Sequence, residues 1–304
     1  MEDNNCIELG DKTQEKKKFR ILTFLLAFVP LVMALIIQML TTVPFAFKAV
    51  FSVMGSSPNN DLSGDELMEG VREKLLGYNI YIMIIYAVIA FVVFFLWYRS
   101  AFIKKGKISF FKSFSVKSVI MVLMMALGTY AFIALILASI SCFFPDIMEN
   151  YNELIETSGL TDNSVLTFVY AIVIGPIVEE LVFRGLNYGY LRKSGLSAIP
   201  AIIIQALLFG LFHMNLVQGL YATVLGIAIG YVRYKFDSVS LGVLFHMLFN
   251  IFGLFSGGLL QNVDEMYQVI IFIVCGFIGV AGICLIICDR APVKAKADKT
   301  EEVS

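Results

Sequence analysis

The sequence predicts an all-α protein, a polytopic membrane helix bundle with about eight transmembrane helices. Composition is the first observation that predicts it. Apolar residues make up 59% of the 304 residues and charged residues 15%, against roughly 45–50% and 25% in soluble domains. The second observation is that the apolar residues fall in long unbroken runs, whereas a membrane β-barrel shows alternating segments of about 10 residues.

Eight apolar runs approach the length of about 20 residues that crosses the hydrocarbon core of a bilayer. A cleavable signal peptide is the alternative for the first run, but that run is long and no A-x-A-like site follows it. The fifth run is short, so we expect its helix to be buried among the others. The predicted spans are Ile21–Thr41, Ile80–Trp97, Val119–Phe144, Leu166–Val182, Ile199–Phe212, Leu216–Val232, Val239–Phe255 and Val269–Ile287.

The distribution of basic residues predicts that both termini face the cytoplasm. With this orientation, Lys48, Arg72 and Lys74 are the only three of the 23 basic residues on the outer side, as expected when positive loops stay inside. The net charge of −1 gives no basic field for nucleic acid. We therefore expect a multi-pass protein of a cell membrane, of the bacterial inner or plasma membrane type, with the lipid bilayer as its surroundings. Nothing in the sequence predicts an oligomeric state.

The five cysteines have no CxxC spacing, so they indicate neither a disulfide framework nor a cysteine metal site. Ionisable residues within the spans are more informative, because they are costly in lipid. Glu180 and Arg184 are spaced i, i+4, which predicts an ion pair on one helix face. Glu179 points about 100° away from Glu180, so we expect a desolvated carboxyl group suited to general-base chemistry. The alternative is a salt-bridge cluster at a helix end.

Two further i, i+4 pairs contain both histidines of the chain. Phe209 and His213 place an aromatic ring beside an imidazole, and His246 and Asn250 place an imidazole and a carboxamide on one helix face. The latter two could donate hydrogen bonds to the same oxygen. Taken singly, such residues more often hydrogen-bond neighbouring helices together.

Three motifs together resemble those of the type II CAAX prenyl endopeptidase and bacteriocin-processing family, often called CPBP or ABI. EELVFR from Glu179 to Arg184 is similar to the family's EExxxR motif. FGLFH from Phe209 to His213 is similar to FxxxH, and HMLFN from His246 to Asn250 to HxxxN. The motifs occur in the family's order, and the resemblance extends over about residues 165–256.

This resemblance implies a glutamate-dependent intramembrane endopeptidase that uses no cofactor and no metal. Glu179 and His213 would position and deprotonate a water, while His246 and Asn250 would stabilise the oxyanion. Glu180, Arg184 and Phe209 would support them. The substrate would be a peptide or a membrane-associated protein, through CAAX-like processing, bacteriocin maturation or self-immunity.

The predicted organisation follows from the spans and the motifs. Residues 1–20 form a basic cytoplasmic tail, 21–160 three helices with charged loops, 161–256 the catalytic core, 257–288 a last helix, and 289–304 a second cytoplasmic tail. Three alternatives remain open at this stage. The Glu and His residues could bind a divalent metal in a metal-dependent membrane protease, hold together a non-catalytic immunity or scaffold protein, or relay protons in a transporter.

Overall fold

A computed structural model of the protein describes residues 19–56, 63–103, 113–157 and 164–289, and these residues contain helices and no β-strand. The described helices are α1 (Ile21–Leu26), α2 (Val29–Ser56), α3 (Gly64–Phe102), α4 (Val116–Phe143), α5 (Pro145–Thr157), α6 (Val165–Lys193), α7 (Ala198–Phe212), α8 (Leu216–Phe236), α9 (Val239–Leu260) and α10 (Glu265–Cys288).

Seven helical segments in the described residues are long and apolar enough to cross a membrane, with α1 and α2 counted as one. The short apolar helix Ala198–Phe212 accompanies them and corresponds to the predicted fifth span. The prediction of an all-α polytopic membrane bundle is therefore confirmed, with seven full-length spans and one short helix. Both predicted tails, 1–20 and 289–304, lie almost entirely outside the described residues.

Polar side chains set the beginnings of several helices. Ser63 and Glu66 form a reciprocal capping box at the start of α3, which satisfies main-chain N–H groups that have no partner within the helix. As a result, α3 begins at Gly64, well before the apolar run at Ile80. At the starts of α8 and α9, the side chains of Asn215 and Ser238 each accept from one main-chain N–H, that of Gln218 and that of Leu241.

The acidic segment between the third and fourth spans contains α5, a helix that the sequence analysis did not predict. Its inward face includes Tyr151, whose hydroxyl lies 3.3 Å from the hydroxyl of Tyr221 at the start of α8. The acidic side chains Asp146, Glu149 and Glu156 are exposed. An amphipathic helix of this kind packs one face against the bundle and leaves the other to solvent.

Basic residues gather at one end of the bundle. The Arg20 N–H donates to Ser194 O at the end of α6 (2.9 Å), and Arg233 lies over the ring of Tyr188. Lys117 and Lys235 both contact Asp289 after α10, at 2.8 and 2.9 Å. A cluster of basic residues of this kind predicts that this end of the bundle faces the cytoplasm.

Small residues bring α7 and α8 into close contact. A Cβ added at Gly226 would lie 2.9 Å from Cα of Ala206, so a larger residue there would push the helices apart. The close approach lets Gln205 Nε2 donate to Gly226 O at 2.8 Å. Packing of this kind, through small residues and interhelical hydrogen bonds, is typical of membrane helices. It holds His213, at the end of α7, at a fixed position in the bundle.

Candidate active site

The helix α6 departs from regular α-helical geometry on both sides of the glutamate pair. Its segments Tyr170–Ile174 and Leu181–Asn187 are π-helical, and Gly175–Glu180 between them is α-helical. Single π-helical turns within α-helices occur frequently at functional sites. Here they flank the segment that contains Glu179 and Glu180.

Glu180 and Arg184 form the ion pair that their spacing predicts. Arg184 Nη1 donates to Glu180 Oε1 at 2.8 Å, and both side chains are completely buried. The guanidinium also lies over the ring of Phe209, with Cζ 4.5 Å from the ring centroid. This cation–π contact adds stabilisation to a charge that has been removed from water.

His246 is held by the same carboxylate. Its Nδ1 lies 3.0 Å from Glu180 Oε1. Since that oxygen already accepts from Arg184, Nδ1 carries the proton and donates it, which directs the other ring nitrogen away from Glu180. That nitrogen, Nε2, lies 3.7 Å from Glu179 Oε2. The helix α9 can approach this closely because it has glycine at position 242, where a Cβ would lie 3.1 Å from Glu180 Oε2.

The two adjacent glutamates occupy different environments. The side chain of Glu180 is fully buried, whereas that of Glu179 is 23% exposed. Within the described residues Glu179 makes no hydrogen bond, and His246 is its one ion-pair neighbour. The carboxylate of Glu179 is therefore not held by a hydrogen bond within the described residues.

Tyr86 in α3 and Tyr170 in α6 are among the tyrosines on which the charge of Glu179 acts, as it also does on Tyr221 in α8. The sequence analysis did not identify Tyr86 or Tyr170. Glycine at position 175 leaves room for the ring of Tyr170, whose Cε1 would lie 3.5 Å from a Cβ there. Neither tyrosine belongs to a motif, and Tyr86 lies in an apolar run, so no signal in the sequence could have identified them.

The ring of His213 hydrogen-bonds to the main chain at the C-terminal end of α7. The main-chain N–H of His213 donates to Gly210 O, which leaves Phe209 O for the ring nitrogen Nδ1 at 2.9 Å. A carbonyl only accepts, so Nδ1 carries the proton and Nε2 is the free nitrogen. His213 forms no ion pair with either glutamate in the described part of the chain. The predicted cooperation of Glu179 and His213 is thus not a direct contact.

Phe209 separates the two histidines. Its ring centroid lies 4.9 Å from that of His213 and 5.8 Å from that of His246, and both contacts are edge-to-face. The predicted shielding of His213 by Phe209 is confirmed. Phe209 also contacts Arg184, so one ring packs against three of the polar residues that the motifs contain.

Asn250 points at the backbone of α6. Its Nδ2 donates to Ala171 O at 2.7 Å. In the structure His246 and Asn250 bond to different protein acceptors, Glu180 and Ala171 O. That both donate to one substrate oxygen stays a prediction. The carboxamide has a second N–H, and that group is the one available to a substrate oxygen.

The arrangement of the possible metal ligands is relevant to the alternative of a metal-dependent protease. Among the described residues, no group of three or more His, Cys, Asp or Glu side chains has an arrangement that could hold a metal ion. The Nδ1 atoms of His213 and His246 are both engaged by protein acceptors, which leaves one Nε2 on each ring as a possible ligand.

Fold and site define a polytopic membrane protein in which glutamate, arginine and imidazole side chains meet inside the helix bundle. Residues 161–252 match the family model for type II CAAX prenyl endopeptidase Rce1-like proteins. This match confirms the resemblance predicted from the three motifs, all of which lie within it. It covers less than a third of the chain.

A relative in Bacillus subtilis (strain 168) is named "Putative membrane peptidase YdiL". It is 25% identical over 87 residues, which are 29% of this chain. The matched part spans only about a third, 35%, of the relative's length. No solved structure matches the chain significantly.

Proposed function

We propose that this protein is a multi-pass membrane endopeptidase of the glutamic type, with Glu179 as the general base. The observation that carries the proposal is the chain of contacts from Arg184 through Glu180 and His246 to Glu179. Three of its members are buried and oriented, and the fourth ends in a partly exposed carboxylate. The family of residues 161–252 and the name of the Bacillus relative support peptidase chemistry.

In the proposed reaction, a water binds between Glu179 Oε2 and His246 Nε2, whose separation of 3.7 Å allows one oxygen to contact both. Glu179 takes a proton from this water, and the oxygen attacks the peptide carbonyl carbon. Protonated Glu179 then delivers the proton to the leaving nitrogen as the C–N bond breaks. The products are a new carboxylate and a new amine, and the enzyme returns to its starting state.

The other polar residues stabilise charge in this scheme. The second N–H of Asn250 donates to the oxyanion, and so does the Nε2–H of His246 when the imidazole carries a second proton. Glu179 and Glu180 together then balance the charges of Arg184 and the imidazolium before the water is deprotonated. His213 presents its free Nε2 from the other side of Phe209 and orients the water or the leaving amine. Arg184 and Phe209 keep Glu180 in place. The substrate is a peptide or a membrane-associated protein segment, as in CAAX-like processing, bacteriocin maturation or self-immunity.

A non-catalytic scaffold, in which the same network only holds helices together, is the competing function. A scaffold accounts for the contacts of Arg184 Nη1 and His246 Nδ1 with Glu180 Oε1. It explains Glu179 less well, because this partly exposed carboxylate makes no hydrogen bond within the described residues and lies 3.7 Å from His246 Nε2. This difference favours the enzyme.

Hydrolysis in ¹⁸O-labelled water tests the proposal. Purified protein in lipid nanodiscs is incubated with a peptide library, and the new termini are identified by mass spectrometry. We expect internal cleavage with one ¹⁸O in each new carboxyl terminus, and none with the Glu179→Gln variant. The exposed Glu69→Gln variant serves as the matched control and should cleave normally. Absence of new termini from the wild-type protein would favour the scaffold.

A further inference from the structure

A proline interrupts the main-chain hydrogen bonding of α6 three residues before Glu179. In the π-helical turn Tyr170–Ile174, the Gly175 N–H donates to Tyr170 O, five residues earlier. The next carbonyl in this register, Ala171 O, would take its hydrogen bond from residue 176. That residue is Pro176, which has no N–H. Ala171 O therefore has no main-chain donor in this register.

Asn250 supplies the missing donor from another helix. Its Nδ2 lies 2.7 Å from Ala171 O, across 79 positions of sequence. A carbonyl without a partner is costly within the hydrocarbon region of a membrane, where water cannot replace the bond. Asn250 is one helical turn after His246, so this bond fixes the part of α9 that presents His246 to the glutamates.

In the described residues a second buried asparagine also donates to a main-chain carbonyl near a proline. Ala27 lies in the break between α1 and α2, three residues before Pro30. The buried side chain of Asn187, with its carboxamide oriented to satisfy its surroundings, donates to Ala27 O at 3.1 Å and to Val182 O at 3.2 Å. An asparagine thus serves a carbonyl near a proline at two places. Neither carbonyl that Asn187 binds belongs to the turn that Asn250 contacts, so Asn187 serves as a control.

We propose that Pro176 and Asn250 act as a pair that sets the position of α9 against α6, and that Asn250 is a positioning residue for His246. Pro176 frees the carbonyl of Ala171, and Asn250 binds it. The hydrogen bond then holds His246 Nε2 facing Glu179 and Nδ1 facing Glu180. The effect on turnover rests on the proposed function, whereas the pairing itself is independent of it.

A double-mutant cycle tests the pair. The Asn250→Leu variant removes both the donor to Ala171 O and the proposed donor to the oxyanion. It should lower kcat about 10³- to 10⁴-fold, with KM nearly unchanged, because α9 shifts and one oxyanion contact is lost. The Pro176→Ala variant restores a main-chain N–H that can donate a hydrogen bond to Ala171 O. In that background, Asn250→Leu should cost about 10-fold less in kcat than it does in the wild-type background, and the loss that remains measures the donor that Asn250 offers to the oxyanion. Asn187→Leu should reduce stability, and Pro176→Ala should not compensate it.

Equal losses of kcat for Asn250→Leu in the two backgrounds would overturn the proposal, because a direct donor to substrate does not depend on residue 176. Thermal unfolding in detergent of the four proteins of the cycle (the wild type, Asn250→Leu, Pro176→Ala and the double variant) measures the pairing without catalysis. We expect the unfolding midpoint to fall less for Asn250→Leu when Ala is at position 176. Additive midpoints would exclude the pairing, even if no variant cleaves any peptide. Recovery of the midpoint without recovery of kcat would overturn the positioning role.

Discussion

Glu180 and His246 are 66 positions apart in the chain, and a hydrogen bond of 3.0 Å joins Oε1 of the one to Nδ1 of the other. The same oxygen accepts from Arg184 at 2.8 Å. One carboxylate oxygen therefore neutralises a buried guanidinium and sets the orientation of an imidazole. Its neighbour Glu179 is left to face the opposite ring nitrogen at 3.7 Å.

The first prediction concerns Glu180→Gln. This change leaves Arg184 buried without a counter-charge, so the free energy of unfolding should fall by about 3–5 kcal/mol. Proteolysis should be lost as well, since His246 loses the acceptor that orients it. Chemical unfolding in detergent and peptide cleavage measure the two effects.

The double variant Glu180→Leu with Arg184→Met separates these effects. Replacing a buried ion pair by apolar side chains of similar volume is often neutral for stability, so most of the stability should return. Activity should stay absent. Activity that returned together with stability would show that Glu180 acts only through folding.

The second prediction concerns His213. Replacing it by alanine removes the ring that presents a free Nε2 beside Phe209, and kcat should fall by about 10²- to 10⁴-fold, as for the loss of an acid–base group. Membrane insertion should be unaffected. The neighbouring Met214→Ala variant, in which an 84% exposed side chain is shortened, is the control and should keep its activity. Comparable losses in both variants would point to a local folding defect.

Hydropathy predicts the spans well, because any helix that crosses the hydrocarbon core needs a long apolar run, whatever its tertiary contacts are. The predicted span Val239–Phe255 and α9, Val239–Leu260, begin at the same residue. The start of α3 was not predictable in this way. Its first residues are charged, and its beginning depends on the Ser63 capping box. The acidic helix α5 was missed for the same reason, since a hydropathy argument is blind to helices outside lipid.

Within the site, the predictable part is local. The Glu180–Arg184 pair follows from 3.6 residues per turn, and so does the contact of Phe209 with His213. Contacts between helices could not be predicted from these local spacings. The bond from Asn250 to Ala171 O depends on a π-helical turn, whose position no residue pattern indicates. The nearness of Tyr86 to Glu179 depends on the packing of α3, which carries no motif.

The third prediction concerns metal. With Glu179 as the base, purified protein should stay active after exhaustive chelation, and elemental analysis should find less than one zinc per chain. Reaction progress curves before and after dialysis against chelator provide the measurement. Activity that disappears with chelator and returns with one particular divalent ion would favour the metal-dependent alternative.

The fourth prediction concerns orientation. In a background without native cysteines, Met68→Cys near the start of α3 should react with a membrane-impermeant thiol reagent from outside intact cells. Val116→Cys at the start of α4 should react only after the cytoplasmic side is opened. Both side chains are well exposed, at 72% and 80%. The reverse pattern would contradict the predicted cytoplasmic termini.

The central claim is that Glu179 is the catalytic base, and the Glu179→Gln variant tests it most directly. The amide keeps the size of the side chain but cannot take a proton from water. We expect the variant to insert and unfold like the wild-type protein and to lose at least about 100-fold in kcat, while Glu69→Gln remains fully active. Turnover of Glu179→Gln at the wild-type rate, measured on the same peptide, would contradict the account.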